Sequence, residues 1–149
     1  MKTILITGIN GYLGSQLAKK HSKTYNIIGL EYTTHDLFRL VDEEFKVYES
    51  KYGIPDTLFS ENKIDYIIHA AAFYGRNNES NSEMTYANMY LPQILLEKAI
   101  ANSCSVFINT DTVLDRFTSS YSLTKKQFRD WLKYYSTNIN YSISQFNLQ

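Results

Sequence analysis

Short apolar runs alternate along the chain with longer amphipathic stretches, the pattern of a parallel sheet wrapped by helices. The runs predict six strands, at Thr3–Thr7, Asn26–Glu31, Phe45–Glu49, Tyr66–His69, Ser105–Thr110 and Tyr141–Phe146. Those around Ile4, Ile67 and Phe107 are continuously apolar, as strands are when helices bury both faces. The spacing between them predicts helices over Tyr12–His21, Pro55–Asn62, Ser82–Asn102 and Ser119–Tyr135, with a short one at Asp36–Val41. In the helix 82–102, Leu91, Leu95, Leu96 and Ala99 recur at helical spacing. In 119–135, Phe128, Trp131, Leu132 and Tyr135 fall at i, i+3, i+4 and i+7, an apolar stripe. The polar stretch Tyr74–Ser82 reads as a surface loop. No repeat, low-complexity tract or linker interrupts the pattern.

Composition narrows the class. At 149 residues, 44% hydrophobic and 20% charged, the chain is an ordinary globular sequence with room for one core. Fifteen basic residues balance fifteen acidic ones, so charge gives no reason to expect nucleic acid as a partner. Cys104 has no second cysteine to pair with and reads as a small buried filler beside Val106–Ile108. The apolar run behind Met1-Lys2 is only Ile4-Leu5-Ile6, short of the roughly 7–15 residues of an export segment. No run approaches the ~18 residues of a membrane span. A cytoplasmic protein that neither spans nor binds a membrane is expected. His21, His35 and His69 do not cluster, and no metal site is expected.

The first strand runs directly into Gly8-Ile9-Asn10-Gly11-Tyr12-Leu13-Gly14, a G-x-x-G-x-x-G. Gly8 allows a sharp exit from the strand, Gly11 lets backbone approach a pyrophosphate, and Gly14 lets the new helix pack closely on the sheet. The helix start then offers free N–H groups and partial positive charge to phosphates. Glu31 ends the second strand, 17 residues past Gly14, near the ~20-residue spacing of a ribose 2′-hydroxyl acceptor. These features predict a three-layer Rossmann fold: a doubly wound parallel sheet of about six strands in the order 3-2-1-4-5-6, within one domain over residues 1–149. The cofactor is NAD or NADP. Glu31 would repel a 2′-phosphate and no Lys or Arg lies between Glu31 and Phe38, which favours NAD. Glu49 and Ser50, closing the third strand on the same edge, join the candidate cofactor contacts.

Tyr121-Ser122-Leu123-Thr124-Lys125 sets a phenol and an ammonium one helical turn apart. A nearby cation lowers a phenol's pKa and makes proton exchange with a substrate oxygen feasible. Thirteen tyrosines and 11 lysines yield about one such pair by chance, so placement carries the argument. The pair opens the helix after the fifth strand, and in open parallel sheets ligands bind beyond the strands' carboxyl ends.

Together these residues resemble the extended short-chain dehydrogenase/reductase family of sugar-nucleotide epimerases, dehydratases and reductases. The resemblance covers essentially the whole chain. Thr7-Gly8-Ile9-Asn10-Gly11-Tyr12-Leu13-Gly14 is similar to the family's T-G-x-x-G-x-x-G. Asp65 to Ala72 looks like its fourth strand, ending in H-x-A-A with Ala70, Ala71 and Ala72 passing the cofactor. Tyr86-Ala87-Asn88 looks like the helix whose Asn lies beside that strand, and Phe107 to Asp111 like the strand ending in the catalytic Ser/Thr, here Thr110. By resemblance, Tyr121 is the general acid/base, Lys125 tunes it and holds the nicotinamide ribose, and Thr110 positions the substrate oxygen. The resemblance further implies a nucleotide-sugar substrate and a homodimer through helices 82–102 and 119–135. Asn109 to Asp115, with the Tyr121 segment close behind, looks most like the CDP-abequose and CDP-paratose synthase branch, 4-keto sugar reductases of surface-polysaccharide dideoxy-sugar synthesis.

Two departures stand out. Only ten residues separate Thr110 from Tyr121, and the sequence stops at Gln149, without the part that in the family closes over the nucleotide-sugar. The expected function is therefore an NAD(P)-dependent oxidoreductase or epimerase acting on a nucleotide-sugar. The alternative is a non-catalytic dinucleotide-binding module or an inactive fragment of such an enzyme.

Overall fold

The computed structural model describes residues 1–139 and 141–148. Six parallel strands form one sheet in the order β3-β2-β1-β4-β5-β6, which is the predicted order. They are β1 (Thr3–Thr7), β2 (Asn26–Glu31), β3 (Lys46–Glu49), β4 (Tyr66–His69), β5 (Val106–Thr112) and β6 (Ile143–Leu148). The helices are α1 (Tyr12–His21), α2 (Thr57–Ser60), α3 (Asn81–Thr85), α4 (Leu91–Ala101) and α5 (Ser120–Asn138), with a π turn at Tyr86–Tyr90 joining α3 to α4. The chain reverses its winding between β3 and β4, and β1 and β4 lie side by side in register from Ile4↔Tyr66 to Thr7↔His69. That reversal opens a crevice at the carboxyl ends of the central strands.

Alternation along the strands divides the core in two. Leu5, Ile67 and Phe107 face Leu58, Leu95, Leu96, Phe128 and Leu132 of α2, α4 and α5. Ile4, Ile6 and Ile27 face Ile9, Ala18 and Leu40 on the opposite side, beneath α1. Helices on both faces explain why β1 is buried at all five positions.

Several predicted elements are redrawn. The segment 36–41 is not a helix but a pair of turns, with Leu40 N–H bonded to the Leu37 carbonyl and Glu43 N–H to that of Leu40. One and a half turns are too few to nucleate a helix, and burying Leu40 holds the loop against the sheet instead. The helix expected over 82–102 starts at Asn81, behind a Ser80/Glu83 capping box, and widens into the π turn before Pro92. Pro92 has no N–H to return to the Asn88 carbonyl and its ring crowds that oxygen, so the helix takes up the mismatch there. The helix over 55–62 shrinks to Thr57–Ser60 and β6 moves two residues toward the C-terminus. Strand β5 runs two residues further than predicted because β6 pairs with it through Thr112↔Leu148. Among the described residues no helix is long and apolar enough to cross a membrane.

Candidate active site

The turn out of β1 is shaped by what its glycines lack. Gly8 has φ +66, and a Cβ there would lie 2.8 Å from the Ala71 Cα. A Cβ on Gly14 would meet the Gly8 carbonyl oxygen at 2.1 Å, so α1 sits directly on the turn. At Gly11 the crowding is milder, 3.0 Å from the same oxygen. Gly11 is the N-cap of α1, with no side-chain cap and no acidic residue in the first turn. The amides of Tyr12, Leu13 and Gly14 therefore point out of the helix start without an intrahelical acceptor.

These amides open on a cavity of about 890 Å³ that runs along the carboxyl edge of the sheet to Tyr121. Gly8, Gly11, Tyr12, Leu13 and Gly14 line one end, with Glu31 and Ser50 beside them. Ala70, Ala71 and Ala72 form the middle, and Thr112 and Tyr121 stand at the far end. The small side chains after β4 keep this crevice open. Thr7 anchors the same segment: its hydroxyl accepts the Ala71 N–H at 3.2 Å and meets His69 Nδ1 at 2.7 Å.

Five residues expected at the site stand outside the cavity wall. Asn10 braces the loop 32–41: its Oδ1 accepts the Arg39 N–H and its Nδ2 donates to the Asp36 carbonyl. Glu49 turns to the Thr34 N–H at 3.0 Å, which holds its carboxyl below the usual range. Asn88 is fully buried and bonds both the N–H and the C=O of Phe73, fixing the strand-end loop. Thr110 is 7% exposed and donates to the His69 carbonyl at 3.0 Å. Thr112, two residues on and on the same strand face, lines the far end of the cavity with Tyr121 in its place, and its hydroxyl accepts the Leu114 N–H at 3.2 Å. The fifth, Lys125, is 1% exposed, and its Nζ finds no hydrogen-bond partner among the described residues. Burial pushes its ammonium down to about 8, partly opposed by Asp111.

The electrostatics depart from the expected pairing. Burial raises the Tyr121 pKa, the Tyr74 phenol and Asp111 push in the same direction, and Thr112 and Arg76 oppose them. Lys125 is instead influenced by Asp111, which raises its pKa against burial, and its charge in turn lowers that of His69. Burial, with Lys125 nearby, holds His69 well below its ordinary 6.5, so the ring is neutral. Arg39, Tyr74 and Arg76 also line the cavity, and the sequence pattern did not single them out. Arg39 lies one residue past Phe38, beyond the Lys- and Arg-free stretch after Glu31, and its guanidinium donates to the Asn10 carbonyl at 3.2 Å. Tyr74 and Arg76 belong to the loop read as plain surface; the signal that marks them is Gly75, seated between them just after β4.

No group of three or more metal-ligating side chains occurs among the described residues. The chain matches the NAD dependent epimerase/dehydratase family over residues 4–146. It is 30% identical to the CDP-abequose synthase of Salmonella muenchen, over 90% of this chain and 47% of that protein. The Salmonella typhimurium enzyme of the same name is 23% identical over 98% of this chain and 52% of its own length. The chain thus spans about half the length of the curated relatives it matches. Among solved structures it is similar to the Bordetella bronchiseptica enzyme WbmH in complex with NAD+, with a TM-score of 0.82 and 22% identity over 99% of this chain and 56% of that one. It is also similar to the UDP-glucose 4-epimerase of Thermotoga maritima with UDP-glucose, with a TM-score of 0.80 and 20% identity over 96% of this chain and 54% of that one. At such identities the structural likeness is one of fold, whereas the family match runs from β1 into β6. On that match the chain belongs to the NAD-dependent epimerase/dehydratase family.

Proposed function

We propose that residues 1–149 supply the dinucleotide-binding domain of an NAD(P)-dependent oxidoreductase or epimerase that acts on a nucleotide-sugar. The finer reading is a 4-keto sugar reductase of dideoxy-sugar synthesis, supported by the likeness to the CDP-abequose synthases. One observation carries the proposal: a single cavity joins the uncapped amides of the glycine turn to the Tyr121 hydroxyl.

The residues present fit a dinucleotide. Gly8, Gly11 and Gly14 leave a cradle that a Cβ would fill. The amides of Tyr12, Leu13 and Gly14 suit a diphosphate. Glu31 accepts the Asn10 and Tyr32 N–H groups at 2.9 and 3.1 Å, which aims the carboxylate. It retains lone pairs for ribose hydroxyls and supports NAD over NADP. Ser50 and Ala70 to Ala72 line the remaining path. Lys125 is a buried ammonium without a hydrogen-bond partner among the described residues, as a residue awaiting ribose hydroxyls would be. A bound nicotinamide would supply hydride exchange with a sugar carbon. Tyr121 gives or takes the accompanying proton at the sugar oxygen. Burial keeps its phenol protonated, the donor form that a carbonyl reduction needs. Thr112, at the same end of the cavity, opposes the rise in the phenol's pKa and so supports the phenolate left after donation. Asn88 holds the Phe73 backbone and acts as a positioning residue.

Calorimetric titration with NADH and NADPH tests the binding half of this reading, and turnover of CDP- and dTDP-4-keto sugars tests the chemistry. Tyr121→Phe is expected to abolish turnover and leave NADH affinity within about threefold. Turnover that survives Tyr121→Phe refutes the assignment. Exposed Tyr86, Tyr90 and Trp131, on the segments 82–102 and 119–135, support self-association through those helices, which sedimentation equilibrium tests.

A further inference from the structure

Two side chains of the loop after β4 reach the Tyr121 end of the cavity. Gly75 has φ +74, a left-handed conformation that glycine adopts without strain, and Tyr74 and Arg76 on either side of it both line the wall. The Tyr74 ring lies against that of Tyr121, with centroids 4.9 Å apart and planes 31° from parallel. The Arg76 guanidinium carbon stands 5.3 Å from the Tyr74 centroid, within cation–π range.

The cation itself has no protein anion among the described residues. Arg116 pairs with Asp130, Arg129 with Asp111, and Arg39 donates to the Asn10 carbonyl. Arg76 makes no ion pair or hydrogen bond among the described residues; its contact is the Tyr74 ring. The other ionised groups on the wall, Glu31 and Arg39, belong to the β2 end. The Tyr121 end thus holds one fixed positive charge beside an aromatic pair. A planar guanidinium with free donors matches the oxygens of a phosphate or carboxylate, and aromatic rings offer apolar surface to the C–H groups of a sugar.

We propose that Arg76 receives an anionic group of the substrate while Tyr74 flanks the sugar, together seating a sugar nucleotide with its reacting carbon at the Tyr121 hydroxyl. This rests on the sugar-nucleotide reading above and names residues that recognise the substrate rather than the dinucleotide. The same guanidinium opposes the rise in the Tyr121 pKa. Its neutralisation by a bound anion would favour the protonated phenol, the form that donates to a carbonyl.

Calorimetry on the whole chain, with UDP-glucose and UDP-glucuronate as probes and with and without NADH, tests the proposal. Arg76→Ala is expected to weaken the binding of UDP-glucuronate, or of both probes, about tenfold or more, as loss of a charge-assisted contact does. Arg76→Lys restores part of it, and NADH affinity stays within about twofold. A loss shared by both probes places the anion at the diphosphate; a loss confined to UDP-glucuronate places it at the sugar carboxylate. Tyr74→Leu weakens both probes. Because Arg76 is exposed and makes no ion pair or hydrogen bond among the described residues, an unchanged melting curve for Arg76→Ala shows that the fold is intact. Affinity for both probes within twofold of the parent in Arg76→Ala, or no binding of either probe by the parent, overturns the proposal. Failure to bind NADH alongside Arg76-dependent UDP-glucose binding refutes the dinucleotide reading and leaves this one standing.

Discussion

Lys125 puts the tension between stability and binding in one side chain. Its ammonium is driven down from an ordinary 10.5 to about 8 by burial. At about 1.4 kcal/mol per unit, keeping it charged opposes folding by about 3 kcal/mol below pH 8. The unfolded chain holds this proton up to pH 10.5 and the folded chain only to about 8, so unfolding takes up a proton between those values. The contribution of Lys125 to stability therefore rises with pH across that window. Lys125→Met removes the charge and keeps the volume. It is expected to stabilise the ligand-free chain by up to about 3 kcal/mol at pH 7, an advantage that shrinks as pH climbs from 8 toward 10.5. If the ammonium holds ribose hydroxyls, the same variant loses most of the stabilisation that NADH confers. Urea unfolding at pH 7 and pH 10, with and without NADH, reads both effects. A variant less stable than the parent at pH 7 would mean the ammonium is paired in the fold, and the reasoning from its isolation fails.

Three further outcomes follow from the geometry. Gly14→Ala places a methyl 2.1 Å from the Gly8 carbonyl oxygen and forces α1 off the turn; a loss of about 3 kcal/mol in urea and loss of NADH binding are expected, and an unchanged denaturation midpoint contradicts the packing. Thr112→Val is expected to raise the Tyr121 pKa further while Thr110→Val leaves it in place, as followed by 13C NMR of labelled tyrosine; equal shifts would show that both hydroxyls reach the phenol. His69 has its folded pKa depressed below 6.5, so the stability it contributes is present above 6.5 and is lost as pH falls below that value; 15N NMR should find a neutral ring at pH 6, and an imidazolium signal there rules out its buried, uncharged state.

How much of this was legible in the sequence varies with the range of the interaction. The strands and long helices were readable because burial on one or both faces imposes a period on neighbouring residues, as in Phe128, Leu132 and Tyr135 of α5. The glycine turn was readable because its demands lie within seven residues. The segment 36–41 misled because Leu37 and Leu40 also have helical spacing, and what holds them is the sheet beneath α1 and the Asn10 side chain, neither visible locally.

The sequence by itself determined the cradle at Gly8, Gly11 and Gly14, which follows from backbone freedom, and through that turn it pointed to the doubly wound order and to Tyr121 at the carboxyl edge. Tertiary structure alone decided which threonine lines the cavity with Tyr121, that Lys125 is buried without a hydrogen-bond partner among the described residues, and that Arg76 stands over the Tyr74 ring packed on Tyr121. Those outcomes depend on strand pairing at the end of β5 and on a left-handed turn at Gly75, which set side by side residues far apart in the chain, such as Tyr74 and Tyr121. Charge and hydrogen bonding act through space, and spacing along the chain does not report them.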